Sequence, residues 1–329
     1  MNILFTSAGR RVELLDAFRR AYKQLGLAGE IMATDIDPLA PALAHADRSF
    51  MVPLVDDPRL PQKLADICSS HEVNLLVPLV DRDIPLLVAH RGSLAATGTK
   101  LLIPTDEASA IVNDKWLSHQ FFEEMGVSSP RSWLPEGLDW ARMTYPLFIK
   151  PRRGSAAEHT FKVCDERELR FFIDYVPDPI VQEYVPGAEI TSDVLCDLEG
   201  NVRAVVSRRR IEVRAGEVAK GVTIHDPRIT ETAALIAKGL QARGPITVQC
   251  LMRDDEPLFT EVNHRFGGGL PLAIAAGVDV PVWLVSLAAG LPLETPPLGT
   301  YRTGLYISRY DQSAVLGEEE RARIAGGRL

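Results

Sequence analysis

Cysteine is scarce in this sequence. Four residues in 329, Cys68, Cys164, Cys196 and Cys250, lie far apart and form no C-x-x-C pair. That spacing speaks against a disulfide-stapled secreted scaffold or a cysteine zinc site, and buried free thiols are the expected state. Long apolar runs are missing too. No stretch approaches the roughly 20 residues of a membrane-spanning helix. Met1 leads into the strand-like Asn2-Ile3-Leu4-Phe5 rather than into a basic, cleavable leader, so the expected compartment is the cytoplasm with no membrane partner. Basic residues are outnumbered: 36 Lys and Arg against 44 Asp and Glu give a formal charge of −8. This argues against a non-specific grip on nucleic acid. Glycine (24) and proline (23) are too few for a low-complexity chain, and 46% hydrophobic residues are too many for a disordered one. At roughly 150 residues per domain, the length makes two or three packed units.

The first hundred residues alternate short apolar runs, Ile3-Phe5, Ile31-Ala33, Leu75-Val77 and Leu101-Ile103, with helical patterns such as Val12, Leu14, Leu15, Phe18 and Tyr22. Such alternation predicts parallel βαβ units with right-handed crossovers. Ligands of these sheets sit beyond the carboxyl ends of the strands. The polar groups expected there are Ser7, Arg10 and Arg11, then Asp35 and Asp37, then Asp81, Arg82 and Asp83. The first turn, Thr-Ser-Ala-Gly-Arg-Arg, has one glycine where a dinucleotide fingerprint needs three, so a nicotinamide cofactor is not expected.

A helical stretch from Thr105 to Met125 ends before Pro130 and Pro135. Strands are then expected at Leu147-Lys150, Phe161-Val163 and Ile180-Tyr184, with a helix at Glu166-Tyr175. Further strands follow at Ile190-Cys196, Val202-Arg210, Ile246-Met252 and Leu258-Asn263, with helices at Glu231-Ala242 and Pro281-Ala289. The last dozen or so residues read as a tail.

The segment Thr260-Glu261-Val262-Asn263-His264-Arg265 carries the most chemistry. Alternation puts Glu261, Asn263 and Arg265 on one strand face and Val262 and His264 on the other. A carboxylate, an amide oxygen and a guanidinium in one row suit a polyphosphate with Mg²⁺, which takes oxygen ligands. A solvated hairpin face explains the same row when it is read alone. With a turn centred on Asp255, Gln249 lies opposite Glu261 and adds another oxygen; a slip of one residue sends it to the other face. Lys150 closes a strand and Lys115 opens a helix, and both could neutralise phosphate oxygens. The run from Ile180 to Gly187 reads as a strand entering a hinge whose backbone could pair with an adenine edge, with Glu189 placed for ribose hydroxyls.

Six segments together resemble the ATP-grasp superfamily, most closely members like the carbamoyl-phosphate synthase large chain. They are ADRSFMVP at Ala46-Pro53, NDK at Asn113-Lys115, FIKPRRGS at Phe148-Ser155, VQEYVPGAE at Val181-Glu189, TVQCLM at Thr247-Met252 and TEVNHRFGGGLPL at Thr260-Leu272. The resemblance implies an α/β plus α+β architecture. A Rossmann-like pre-ATP-grasp domain (1–112) precedes a two-subdomain ATP-grasp fold, made of a lid subdomain with a linker helix (113–185) and a catalytic subdomain (186–312), before a tail (313–329).

It also implies site roles. Lys115 and Lys150 contact ATP phosphates, with Ser155 in the lid turn; Glu183, Tyr184 and Val185 form the adenine hinge and Glu189 meets the ribose. Gln249, Glu261 and Asn263 hold Mg²⁺, as two ions that Mn²⁺ can replace, and Arg265 and Lys150 serve the reaction. His264 departs from the usual proline of E-x-N-P-R, and the lid turn is poor in glycine. The implied activity is ADP-forming ligation of a small carboxylate to an amine, amino-acid-like in kind, through an acyl phosphate. The rivals are a nucleotide-binding subunit of a larger synthase and a small-molecule kinase. For the acceptor, Arg214 and Lys220, on an expected loop, and Gly268 are the candidates, and a homodimer is the expected assembly.

Overall fold

Along the first strand Ile3 and Phe5 face one way and Leu4 the other, and all three are fully buried. A strand apolar on both faces belongs in a sheet covered on both sides. The computed structural model, which describes residues 1–154, 158–214 and 216–326, has that sheet. Five parallel strands, β1 (Asn2–Thr6), β2 (Ile31–Asp35), β3 (Arg48–Met51), β4 (Val73–Pro78) and β5 (Lys100–Leu101), run in the order β3-β2-β1-β4-β5. The interleaved helices α1 (Val12–Leu25) and α2 (Pro41–His45) cover the Ile3/Phe5 face. On the Leu4 face lie α3 (Leu60–Ser70), α4 (Asp83–Ala89) and α5 (Arg91–Ala95). Strand β3 was not expected: it is an edge strand with one buried apolar side chain, Phe50, and such a strand has no apolar run to betray it.

The helical stretch expected over 105–125 is two helices, α6 (Asp106–Asn113) and α7 (Lys115–Glu124), the second opening at Lys115 as expected. Asp114 divides them, its carboxylate accepting from the Trp116 N–H at 2.9 Å as an N-cap. Next comes a four-stranded antiparallel sheet, β6 (Ser132–Trp133), β7 (Leu147–Pro151), β8 (Phe161–Val163) and β9 (Pro179–Glu183), in the order β6-β9-β7-β8. Helix α8 (Glu166–Tyr175) closes its small core through Leu169.

A six-stranded antiparallel sheet forms the third unit, from β10 (Glu189–Cys196), β11 (Val202–Arg214), β12 (Glu217–Ile224), β13 (Gly244–Arg253), β14 (Glu256–Asn263) and β15 (Tyr306–Ser308), ordered β14-β13-β10-β11-β12-β15. Helix α9 (Pro227–Gly239) packs on one face through Ile229, Ala233 and Ile236, joined there by Ala108 and Phe122 of α6 and α7. The linker helices thus pack on this sheet, although the 113–185 boundary groups α7 with the lid. From the other face α10 (Leu270–Ala275) and α11 (Val280–Ala288) reach α1, so one core runs from the parallel sheet into this one. Phe18 and Phe266 meet edge-on within it at 5.9 Å.

Two further expectations need correction. The loop expected around Glu212, Arg214 and Lys220 is a β-hairpin, β11 pairing with β12, whose charged side chains hide the strand pattern. The tail ends in α12 (Glu318–Gly326), whose Ile324 is buried in the core shared with α1 and α11. Cys68, Cys196 and Cys250 are buried free thiols, and Cys164 is an exposed one. Among the described residues no helix is long and apolar enough to cross a membrane.

Candidate active site

A cleft of about 950 Å³ separates the four-stranded sheet from the six-stranded one. From the first sheet and its approach come Lys115, Lys150, Arg153 and the hinge Glu183-Tyr184-Val185; from the second come Gln249, Glu261, Asn263 and Arg265. Lys150, next to last in β7, is buried, and among the described residues no carboxylate is in salt-bridge contact with it; its Nζ donates to Gln182 Oε1 at 3.2 Å. Burial pushes its pKa down to about 8, Glu261 pulling the other way and Lys115 adding to the fall. The ammonium is thus short of counter-charge, the condition that favours an incoming anion. Lys115 Nζ donates to Gly154 O at 2.8 Å, so it reaches the segment that follows β7. Asp114, beside it, binds Arg152 at 2.7 Å and Arg153 at 3.1 Å and ties the α7 N-terminus to the end of β7.

The β13–β14 hairpin places the oxygen-bearing row by means of a bulge. From Arg253↔Glu256 to Cys250↔Phe259 the ladder is regular about the Asp254-Asp255 turn, and continuing it would set Gln249 opposite Thr260. An extra residue at Thr260 shifts the register, and Gln249 pairs with Glu261 instead. Gln249 Nε2 donates to Glu189 Oε1 at 2.7 Å, which turns the amide oxygen toward Asn263. The Asn263 amide has Gln249 Oε1 3.3 Å from one end and, at the other, Glu261 Oε1 at 3.2 Å and Asp81 Oδ2 at 3.3 Å. An amide has one N–H₂ end, so one side of Asn263 always sets oxygen against oxygen. A hard cation among these oxygens removes the conflict, and the donor set fits Mg²⁺. The set depends on amides: among the described residues no three His, Cys, Asp or Glu side chains cluster as metal ligands.

Arg265 donates from Nε to Asp81 Oδ2 at 2.8 Å. Burial raises the Asp81 carboxyl, and Arg265 opposes that rise. His264 points away, as alternation requires: it is buried with Nε2 2.9 Å from Arg243 O, and burial pushes its pKa down to about 4. Beside Arg265, Gly267 and Gly269 let the chain pass over the buried Arg208–Asp193 ion pair. A Cβ on Gly267 would stand 2.5 Å from Asp193 Oδ1, and one on Gly269 would collide with Arg208 Nε and Cζ.

Several expected residues sit differently from their implied roles. Glu189 lines the cleft with its carboxylate bound to Arg210 and Gln249. The Glu183 carboxylate is held by Arg131 at 3.0 Å and Arg253 at 3.1 Å, and its backbone N–H donates to Arg131 O at 2.9 Å. Tyr184 lies under Lys162 Nζ, 4.2 Å from the ring centroid, and among the described residues the Val185 N–H has no acceptor. Ser155 falls outside the described residues. Arg214 and Lys220 are exposed, paired with Asp311 at 2.5 Å and Glu212 at 2.6 Å, and do not line the cleft. Gly268 does, beside Glu217. Sequence reasoning passed over Glu217 and Arg309, and noted Asp81, Arg10 and Arg11 only as strand-end groups. The carboxyl-edge rule for parallel sheets was the signal that reached those three.

Residues 3–102 match the family described as the PylC-like N-terminal domain, and residues 175–312 match the one described as ATP-grasp in the biosynthetic pathway with Ter operon. A putative D-alanine–D-lactate ligase from Streptomyces coelicolor is 25% identical over 220 residues, 59% of this chain and 64% of that protein. The 3-methyl-D-ornithine–L-lysine ligase of Methanosarcina barkeri is 22% identical over 88% of this chain and 68% of its own length. A carbamoyl-phosphate synthase from Methanobrevibacter smithii is 24% identical over 88% and 81%. The matched part therefore spans less than two thirds of the Streptomyces relative and somewhat more of the other two. In fold the chain is similar to biotin carboxylase from Campylobacter jejuni, with a TM-score of 0.74 over 93% of this chain and 74% of that one at 19% identity. With a PylC-like domain leading into the two clasping sheets, the chain belongs to the ATP-grasp superfamily.

Proposed function

We propose that this protein is an ATP-dependent ligase that joins a small carboxylate, amino-acid-like in kind, to an amine through an acyl phosphate. The observation that carries the reading is the convergence on one cleft of two lysines with little local counter-charge, from the lid side, and the Gln249/Glu261/Asn263/Arg265 row, from the sheet opposite. Support comes from relatives named as ligases of amino acids, the ornithine–lysine ligase above all, since it matches 88% of the chain.

In this reading Lys115 and Lys150 neutralise the phosphate oxygens of ATP, and the backbone at Glu183 and Val185 takes the adenine edge. Gln249, Glu261 and Asn263 would hold Mg²⁺, which when bound shields the negative charges that meet during transfer. Arg265, steadied by Asp81, orients the substrate carboxylate. A carboxylate oxygen attacks the γ-phosphorus while the bond to ADP breaks. The amine nitrogen then attacks the acyl carbon, loses a proton, and phosphate leaves. Closure of the lid over Lys150 would keep water from the acyl phosphate.

The test is oxygen transfer. Pooled amino acids and small acids, labelled with ¹⁸O in their carboxyl groups, are incubated with Mg-ATP and pooled amines. A ligase of this type leaves one labelled oxygen in each phosphate released. A kinase retains the label in a stable phosphorylated product, and a nucleotide-binding subunit without turnover releases no phosphate.

A further inference from the structure

Glu217, the first residue of β12, is held by three arginines from separate parts of the chain. Its Oε1 lies 2.7 Å from Arg11, and its Oε2 lies 2.8 Å from Arg309 and 3.7 Å from Arg10. Arg10 and Arg11 leave the carboxyl end of β1, while Arg309 follows β15. Three guanidiniums surround this one carboxylate, and with Glu13 lining the pocket beside them the arginines still outnumber the acids. Arg265 is close enough to depress Arg11 further, after burial has already lowered it. Two of the three are anchored at the backbone from outside the group: the Arg309 N–H continues the sheet by donating to Ala219 O at 2.9 Å, and the Arg11 N–H donates to Ala8 O at 2.9 Å.

The remaining wall is backbone. Gly268 approaches so closely that a Cβ would stand 3.0 Å from the Glu217 carboxyl carbon and 3.2 Å from both its oxygens. Gly268 was a candidate for meeting the acceptor, and what it approaches is a carboxylate of the protein itself. The place opens both to the main cleft, through Glu217, Gly267 and Gly268, and to a smaller pocket beside Leu14 and Pro271.

We propose that Arg10, Arg11 and Arg309, with the Gly268 backbone, form a seat for a carboxylate of the substrate, and that Glu217 is its resident anion, displaced when substrate binds. The proposal rests on the ligase reading and adds two things: the substrate presents a carboxylate to this seat, and the β11–β12 hairpin reports whether it is filled. A guanidinium cluster recognises a carboxylate by charge-assisted, bidentate hydrogen bonds, whichever molecule carries it.

The test needs neither ATP nor a known substrate. Glu217→Ala leaves the three arginines without their anion, and Glu217→Gln keeps the shape and removes only the charge. Thermal unfolding of both variants and wild type is followed against sodium acetate, with sodium chloride at matched ionic strength. Saturable acetate stabilisation of Glu217→Ala is expected, beyond that given by chloride and lost in Glu217→Ala/Arg309→Met. A resident that fills the seat more than about nine-tenths of the time weakens an incoming carboxylate about tenfold. Acetate should therefore act on Glu217→Gln at about a tenth of the wild-type concentration. Equal responses to acetate and chloride, or a response that persists without Arg309, would overturn the proposal. So would equal acetate midpoints for Glu217→Gln and wild type. None of these outcomes bears on whether ATP is turned over, so the ligase reading stands or falls separately.

Discussion

Asp81, at the end of the parallel sheet, accepts from Arg265 Nε at 2.8 Å across 184 residues of sequence. The N-terminal domain therefore contributes directly to the geometry just past β14, because an arginine anchored at Nε presents its remaining N–H groups in a fixed direction.

Asp81→Asn should lower turnover by about tenfold to a hundredfold, the scale of a misplaced reacting group. ATP affinity should change by no more than about twofold, because the hinge and the two lysines are untouched. Equilibrium binding of ATP beside steady-state phosphate release separates the two effects.

Lys150 should set the pH dependence of nucleotide binding. Its pKa near 8 lies below the ordinary lysine value, so the free protein holds this charge below pH 8 and loses it above. A bound triphosphate favours the charged form, so nucleotide binding should take up a proton between about pH 8 and 10. Titration calorimetry in buffers of different ionisation enthalpy measures that uptake. Lys150→Met should abolish it and weaken ATP binding about tenfold to a hundredfold. Stability follows the same sign: a lysine depressed by folding costs stability while it is charged, and that cost disappears as pH rises through 8 toward the unfolded value.

Gly269→Ala should destabilise by about 1–3 kcal/mol, the usual cost of overpacking. The side chain it meets, Arg208, is buried and paired with Asp193, so it has nowhere to move. Denaturant unfolding provides the measurement, and the loss should appear without ligand.

Ile324→Ala should cost about 2–5 kcal/mol, since the residue is 1% exposed and sits in the main core. A true tail would show no loss on the same unfolding curve.

What the sequence made legible follows from pattern strength. Fully buried parallel strands and the amphipathic α1 announced themselves through apolar runs and helical spacing. β12 did not, because Glu217, Lys220 and the arginines of β11 form a charged hairpin whose order comes from the neighbouring strand. The row Glu261-Asn263-Arg265 was readable from alternation. Its partnership with Gln249 came out as expected for a different reason, since the bulge at Thr260 supplies the shift that a turn centred on Asp255 was expected to provide. Arg214 and Lys220 were chosen because loops can face a cleft; they lie on strands, paired outward, while Arg208 and Arg210 of β11 line it. The roles of Asp81, Arg10 and Arg309 depend on which chain segments meet, and no local pattern carries that information.

Phosphate release from Mg-ATP in the presence of pooled amino acids and small carboxylates, wild type beside Glu261→Ala, tests the central claim most directly. The account predicts release by the wild type that depends on the pool, and a fall of at least about a hundredfold in the variant, the scale of a lost electrostatic stabiliser. Equal stimulated release by both proteins would contradict it.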